Sequence, residues 1–86
     1  MKKDVAAMSI TLYTKPACPQ CVATKRAFDR SGVEYSTVDV SMDDDARDYV
    51  MSLGYVALPV VEAEGNHWSG FRPDRIKELV SAAASA

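Results

Sequence analysis

Residues 13–25 read YTKPACPQCVATK. Cys18 and Cys21 bracket Pro19 and Gln20, and Lys15 stands three residues upstream of the first cysteine. Proline suits the first position of a helix, because its φ is already helical and its missing N–H would have no partner there. Cys18-Pro19 therefore reads as a helix start. The helix is expected to run to about Ser31 and to stop at Gly32, which tolerates a left-handed cap. Its inward face carries Cys21, Thr24 and Phe28, while Lys25, Arg26, Asp29 and Arg30 face water. Just upstream, residues 9–14 (SITLYT) mix β-branched, aromatic and apolar side chains and read as a strand.

Downstream the chain alternates strands and helices. Residues 33–40 (VEYSTVDV) read as a second strand. Ser41, three residues ahead of Asp44, has capping-box spacing, and Asp43, Asp44 and Asp45 suit the positive end of a helix dipole. Ala46, Tyr49, Val50 and Leu53 follow at helical spacing, and Gly54 closes the helix. Residues 59–63 (PVVEA) form a third strand whose first residue is a proline, where a missing donor is tolerated. EGN turns the chain into a short fourth strand, HWS, and Pro73 opens a last helix with Ile76, Leu79, Val80 and Ala83 on one face. The order βαβαββα predicts a parallel crossover followed by an antiparallel hairpin, hence a small four-stranded mixed sheet with three helices on its two faces.

The chain has 86 residues and a net charge of −2, with 48% hydrophobic residues. That is one domain of ordinary globular composition, with nothing to suggest nucleic acid or an anionic membrane as partner. No apolar run approaches the roughly 20 residues that span a bilayer. MKKDVAAM has a positive pair but no apolar core after it, so residues 1–7 read as a flexible leader and 8–86 as the folded domain. The expected compartment is the cytoplasm, where a close cysteine pair is more often catalytic or metal-binding than a structural staple.

At a helix mouth the first N–H groups lack helical partners. A Cys18 thiolate would receive them together with the positive end of the dipole, an arrangement that lowers a thiol pKa from about 8.5 into the range of roughly 3.5–7.5. Cys21, one turn inside, stays a thiol until needed. Cys18 is then the nucleophile toward a partner's disulfide and Cys21 the resolving thiol. Pro19 shapes the helix start, and Lys15 either supports the thiolate or is a solvated loop lysine. Other readings stay open at this point. A structural zinc site wants four ligands, against Cys18, Cys21 and the lone His67 here. A copper-carrier module would need βαββαβ order, and a purely structural cysteine pair is the third alternative. The stretch VALPVV adds weight to redox chemistry. A cis proline at Pro59 would leave the Leu58 N–H and C=O free to pair with a partner backbone beside the nucleophile.

YTKPACPQC, ALPVV and HWSGFRPDRI together resemble the glutaredoxin-like redoxins of the NrdH type, from about Met8 to Leu79. C-P-x-C alone marks only the wider glutaredoxin–thioredoxin superfamily, and the WSGFRPD stretch, residues 68–74, is the more specific part. The resemblance implies a thioredoxin fold and a disulfide oxidoreductase acting as electron carrier. It implies reduction by thioredoxin reductase rather than glutathione, and donation to the large subunit of class Ib ribonucleotide reductase. NADPH and FAD would belong to the reductase, with no metal or cofactor bound to this chain. Glutaredoxins hold the γ-glutamyl carboxylate of glutathione at the start of the last helix, through a turn of small residues. Phe71, Arg72 and Pro73 stand there instead, so that pocket is expected to be spoiled. A glutathione-dependent glutaredoxin remains the alternative. Trp68, Ser69, Gly70, Phe71 and Arg72 are the candidate docking loop, with Trp68 and Phe71 either offering an apolar patch or packing beneath the last helix. Arg72 is expected to pair locally.

Overall fold

The computed structural model describes residues 10–63 and 65–85. The leader expected at residues 1–7 lies outside them. The elements are β1 (Ile10–Thr14), α1 (Pro19–Ser31), β2 (Ser36–Asp39), α2 (Asp44–Ser52), β3 (Val60–Ala63), β4 (Asn66–Ser69) and α3 (Pro73–Ser85). The strands lie in the order β2-β1-β3-β4, with β1 parallel to β2 and antiparallel to β3, and β3 antiparallel to β4. This is the βαβαββα order of the thioredoxin fold.

Each helix forms for local reasons. Pro19 opens α1, and Gly32, at φ 77°, ends it by donating its N–H to the Phe28 and Asp29 carbonyls. The buried residues of α1 are Cys21, Thr24 and Phe28, one stripe at helical spacing. Thr24 is buried without penalty because its hydroxyl donates to the Gln20 carbonyl at 2.9 Å. The second helix is capped differently from expectation. Asp43, not Ser41, is the N-cap, and its carboxylate accepts from the Ala46 N–H at 3.0 Å. Ser41 instead donates its N–H and hydroxyl to Asp39 in a turn that ends β2. The second strand is also shorter than residues 33–40, because only residues 36–39 pair with β1. Val33 and Tyr35 pack against the core without joining the ladder.

Two cores lie on the two faces of the sheet. Ile10, Leu12, Phe28, Val61, Ala63, Trp68, Ile76 and Leu79 fill the side under α1 and α3. Val40, Ala46, Val50 and Val60 fill the side under α2. Val60 and Val61 are both fully buried because successive strand residues face opposite ways and β3 is an inner strand. The consequence for the site is positional. Because β1 and β3 are antiparallel with Tyr13 opposite Val60, the end of β1, which leads toward α1, and Pro59, which leads into β3, lie at the same end of the sheet.

Candidate functional site

Cys18 and Cys21 are joined as a disulfide, with Cα atoms 5.2 Å apart. Cys18 is the N-cap of α1, and its sulfur accepts the Cys21 N–H at 3.2 Å. Ala17, just before it, holds a left-handed φ of 56°, which turns the chain from the β1 side into the helix mouth. Both cysteines are buried, at 7% and 3% exposure. Depth therefore separates the two only slightly, and their roles must come from position: Cys18 on the cap, Cys21 inside the first turn.

A cleft of about 660 Å³ opens over the pair, and its walls include Lys15, Cys18, Pro19, Cys21, Lys25 and Asp39. Lys15 thus lines the same cleft as the two cysteines. Lys25 and Asp39 were not singled out by sequence. Lys25 reaches the cleft because it lies one helical turn beyond Cys21 on α1, and Asp39 because β2 ends beside β1.

The Leu58-Pro59 peptide bond is cis. The Leu58 carbonyl oxygen lies 3.8 Å from Cys18 Sγ, although the two residues are 40 apart in the chain. Residues 57–59 are tied to the far side of the site. The Ser69 hydroxyl donates to the Ala57 carbonyl at 2.8 Å, and the Gly70 N–H donates to the Pro59 carbonyl at 2.7 Å. Gln20, between the cysteines, accepts the Phe71 N–H on its side-chain oxygen at 3.1 Å. A Cβ at Gly70 would come within 3.4 Å of that same oxygen, and Gly70 itself sits at φ 89°, so only glycine suits the position. The C-P-Q-C turn, the Pro59 loop and the 69–71 loop are therefore one hydrogen-bonded assembly. No local pattern announces Gln20 in this role. Its place inside the motif was the only signal.

The candidate docking loop divides in two. Trp68 is 5% exposed and belongs to the core, so its ring packs under α3 rather than facing a partner. The Arg75 guanidinium lies over it, 5.3 Å from the ring centroid. Phe71, at 38% exposure, does present an apolar face. Arg72 pairs locally, its guanidinium 3.1 Å from the Asp74 carboxylate, and that hydrogen bond holds the Asp74 carboxyl below its ordinary range. Pro73 is the first residue of α3. His67 lies in β4 and contacts Tyr55, and no three His, Cys, Asp or Glu side chains among the described residues stand close enough to hold a metal ion. No helix among the described residues is long and apolar enough to cross a membrane.

Comparison with known proteins agrees with this geometry. The glutaredoxin family profile matches residues 10–68. The chain is 50% identical over 72 residues to the glutaredoxin-like protein NrdH of Salmonella typhimurium, covering 84% of this chain and 89% of that one. It is 44% identical over 81 residues to NrdH of Escherichia coli, covering 92% of this chain and all of the other. The solved structure of Escherichia coli NrdH-redoxin, a glutaredoxin-like protein with a thioredoxin-like activity profile, superposes with a TM-score of 0.81 at 42% identity. That match covers 83% of this chain and 93% of the other. The chain belongs to the glutaredoxin family, among its NrdH-type thiol–disulfide redox proteins.

Proposed function

We propose that this chain is a dithiol electron carrier, reduced by thioredoxin reductase rather than by glutathione, that donates to the large subunit of a class Ib ribonucleotide reductase in the cytoplasm. In the reduced form, the Cys18 thiolate attacks one sulfur of the client's disulfide. A Cys18–client bond forms, the client's S–S bond breaks, and the departing sulfur takes up a proton from solvent. The Cys21 thiolate then attacks the Cys18 sulfur, and the second client sulfur leaves and is protonated. Two electrons have passed to the client, and Cys18–Cys21 is the disulfide. The Cys21 N–H, 3.2 Å from Cys18 Sγ, is the donor that favours charge on the nucleophile. The Leu58 carbonyl is the neighbour available to an incoming extended backbone. Lys15, at the cleft edge, adds a positive field. In this scheme NADPH and FAD stay in the reductase, and the chain itself holds no cofactor.

The observation that carries the choice of electron source is Pro73 at the first position of α3, preceded by Phe71 and by Arg72 paired with Asp74. A helix mouth binds a carboxylate through free N–H groups, and here the first N–H is missing. Gln20 takes the Phe71 N–H as well. The turn is therefore a poor seat for the γ-glutamyl carboxylate. The test is direct: the oxidised protein is supplied with NADPH and thioredoxin reductase in one assay and with NADPH, glutathione reductase and glutathione in another. Efficient turnover in the first and slow turnover in the second is expected. Comparable rates would assign the protein to the glutathione-dependent glutaredoxins.

A further inference from the structure

Residues 55–59 bring the Leu58 backbone to Cys18; Pro59 is fully buried and Tyr55 and Leu58 pack half-buried against the smaller core, but the two residues between them stand out in water. Val56 is 96% exposed and Ala57 is exposed as well. The segment is held in addition by polar anchors at alternate residues, each reaching β4 or the residue after it. Ser69 anchors Ala57, and Gly70 anchors Pro59. The first anchor is of another kind, a contact between two side chains. The Tyr55 hydroxyl lies 2.7 Å from His67 Nδ1 and 3.3 Å from the His67 carbonyl oxygen. The two rings meet edge-on, with centroids 5.4 Å apart. One arrangement uses both contacts: His67 Nδ1–H donates to the Tyr55 oxygen, and the Tyr55 hydroxyl donates to the His67 carbonyl. Glu62, directly across from His67 in the β3–β4 register, is already engaged, because the Tyr49 hydroxyl donates to its carboxylate. The side-chain contact of His67 Nδ1 is with Tyr55.

We propose that Tyr55 and His67 form a positioning clamp that fixes the Leu58 backbone beside Cys18, and thereby favours protein disulfides over small ones. The proposal rests on the reading of Cys18 as the nucleophile and of Leu58 as the backbone that meets a client. Neither clamp residue touches the sulfurs, so both act through the segment they hold. A small disulfide needs only access to Cys18 Sγ. A protein client needs, in addition, its extended backbone laid against Leu58 in one orientation. Loosening the segment penalises the second requirement and leaves the first intact, because the apolar packing of Tyr55, Leu58 and Pro59 is non-directional and leaves the hydrogen bonds to set how the Leu58 backbone is oriented.

The experiment compares pre-reduced wild type with Tyr55→Phe, His67→Leu, His67→Asn and the Tyr55→Phe/His67→Leu double variant. Two probes are used, insulin as a protein disulfide and a small aromatic disulfide reagent, each followed in a single turnover. Removing one neutral hydrogen bond should slow the insulin reaction about two- to tenfold in Tyr55→Phe and in His67→Leu, with the small reagent unchanged. His67→Asn, whose amide can still donate to the Tyr55 oxygen, should recover most of the loss. The double variant should be no slower than the worse single one, since both substitutions break the same contact. Equal slowing with both probes, no slowing with insulin, failure of asparagine to rescue, or additive losses would each overturn the clamp. Failure of the wild type to reduce either probe would instead overturn the redox reading beneath it.

Discussion

Converting the start of α3 tests the choice of reductant. Pro73→Ala restores an N–H at the first helical position, and Phe71→Gly clears a side chain from the turn before it. The double variant therefore gains a donor at a helix mouth, where the dipole already favours an anion. A hydrogen bond to a charged group contributes about 1.5–3 kcal/mol, and an exposed turn such as this one belongs at the low end of that range. About 1.4 kcal/mol is tenfold, so the second-order rate with glutathione should rise about tenfold. Folding should survive the change. Losing a conformationally compatible proline costs about 0.4–1 kcal/mol, and a new glycine costs a similar amount. Both are small against the roughly 4–13 kcal/mol typical of a chain this long. The assay follows NADPH oxidation with glutathione reductase, varied glutathione and a small dialkyl disulfide, and a parallel assay uses thioredoxin reductase. If Phe71 contributes to docking, the second rate should fall. An unchanged glutathione rate, in a variant that melts like wild type, would refute the idea that this turn excludes glutathione.

Cys18→Ser should abolish turnover, whereas Cys21→Ser should stall after one attack, leaving a mixed disulfide through Cys18 that intact-mass measurement detects. Repeated cycles of Cys21→Ser at the wild-type rate would reverse the assigned roles. Phe28 is fully buried in the larger core, and Phe28→Ala should lower stability by about 3–5 kcal/mol in urea unfolding; a loss below about 1 kcal/mol would mean that the core is not packed around it. The Tyr49 hydroxyl, hydrogen-bonded to Glu62, has its pKa pushed up from 10.0 to about 12. A raised folded-state pKa stabilises fully below the unfolded value and fades above it, so this contribution should be lost as pH climbs from 10 to about 12. In Glu62→Gln, ultraviolet titration should show that phenol ionising at lower pH. An unshifted curve would remove Glu62 as the cause.

Much of this protein is written in short-range pattern. The proline of C-P-Q-C, the stripe Cys21, Thr24, Phe28 and the stop at Gly32 determine α1 and place Cys18 on its cap, because helix capping and periodicity involve residues within four of each other. The order of strands and helices follows in the same way, and so does the kinship carried by the WSGFRPD stretch. Choices between equivalent local signals were not legible. Ser41 and Asp43 both have capping chemistry, and only the turn closed on Asp39 decided that Asp43 caps α2. Residues 33–35 have strand composition, but β1 offers partners only from Ser36 onward. Trp68 looked equally suited to core and surface until the sheet placed it under α3. The contacts that assemble the site, Leu58 on Cys18, Gln20 on Phe71 and Tyr55 on His67, join residues 40, 51 and 12 apart in the chain. Local propensity carries no information about such distant pairs. They exist because two cores fix the sheet from both faces and bring the ends of β1, β3 and β4 to one rim.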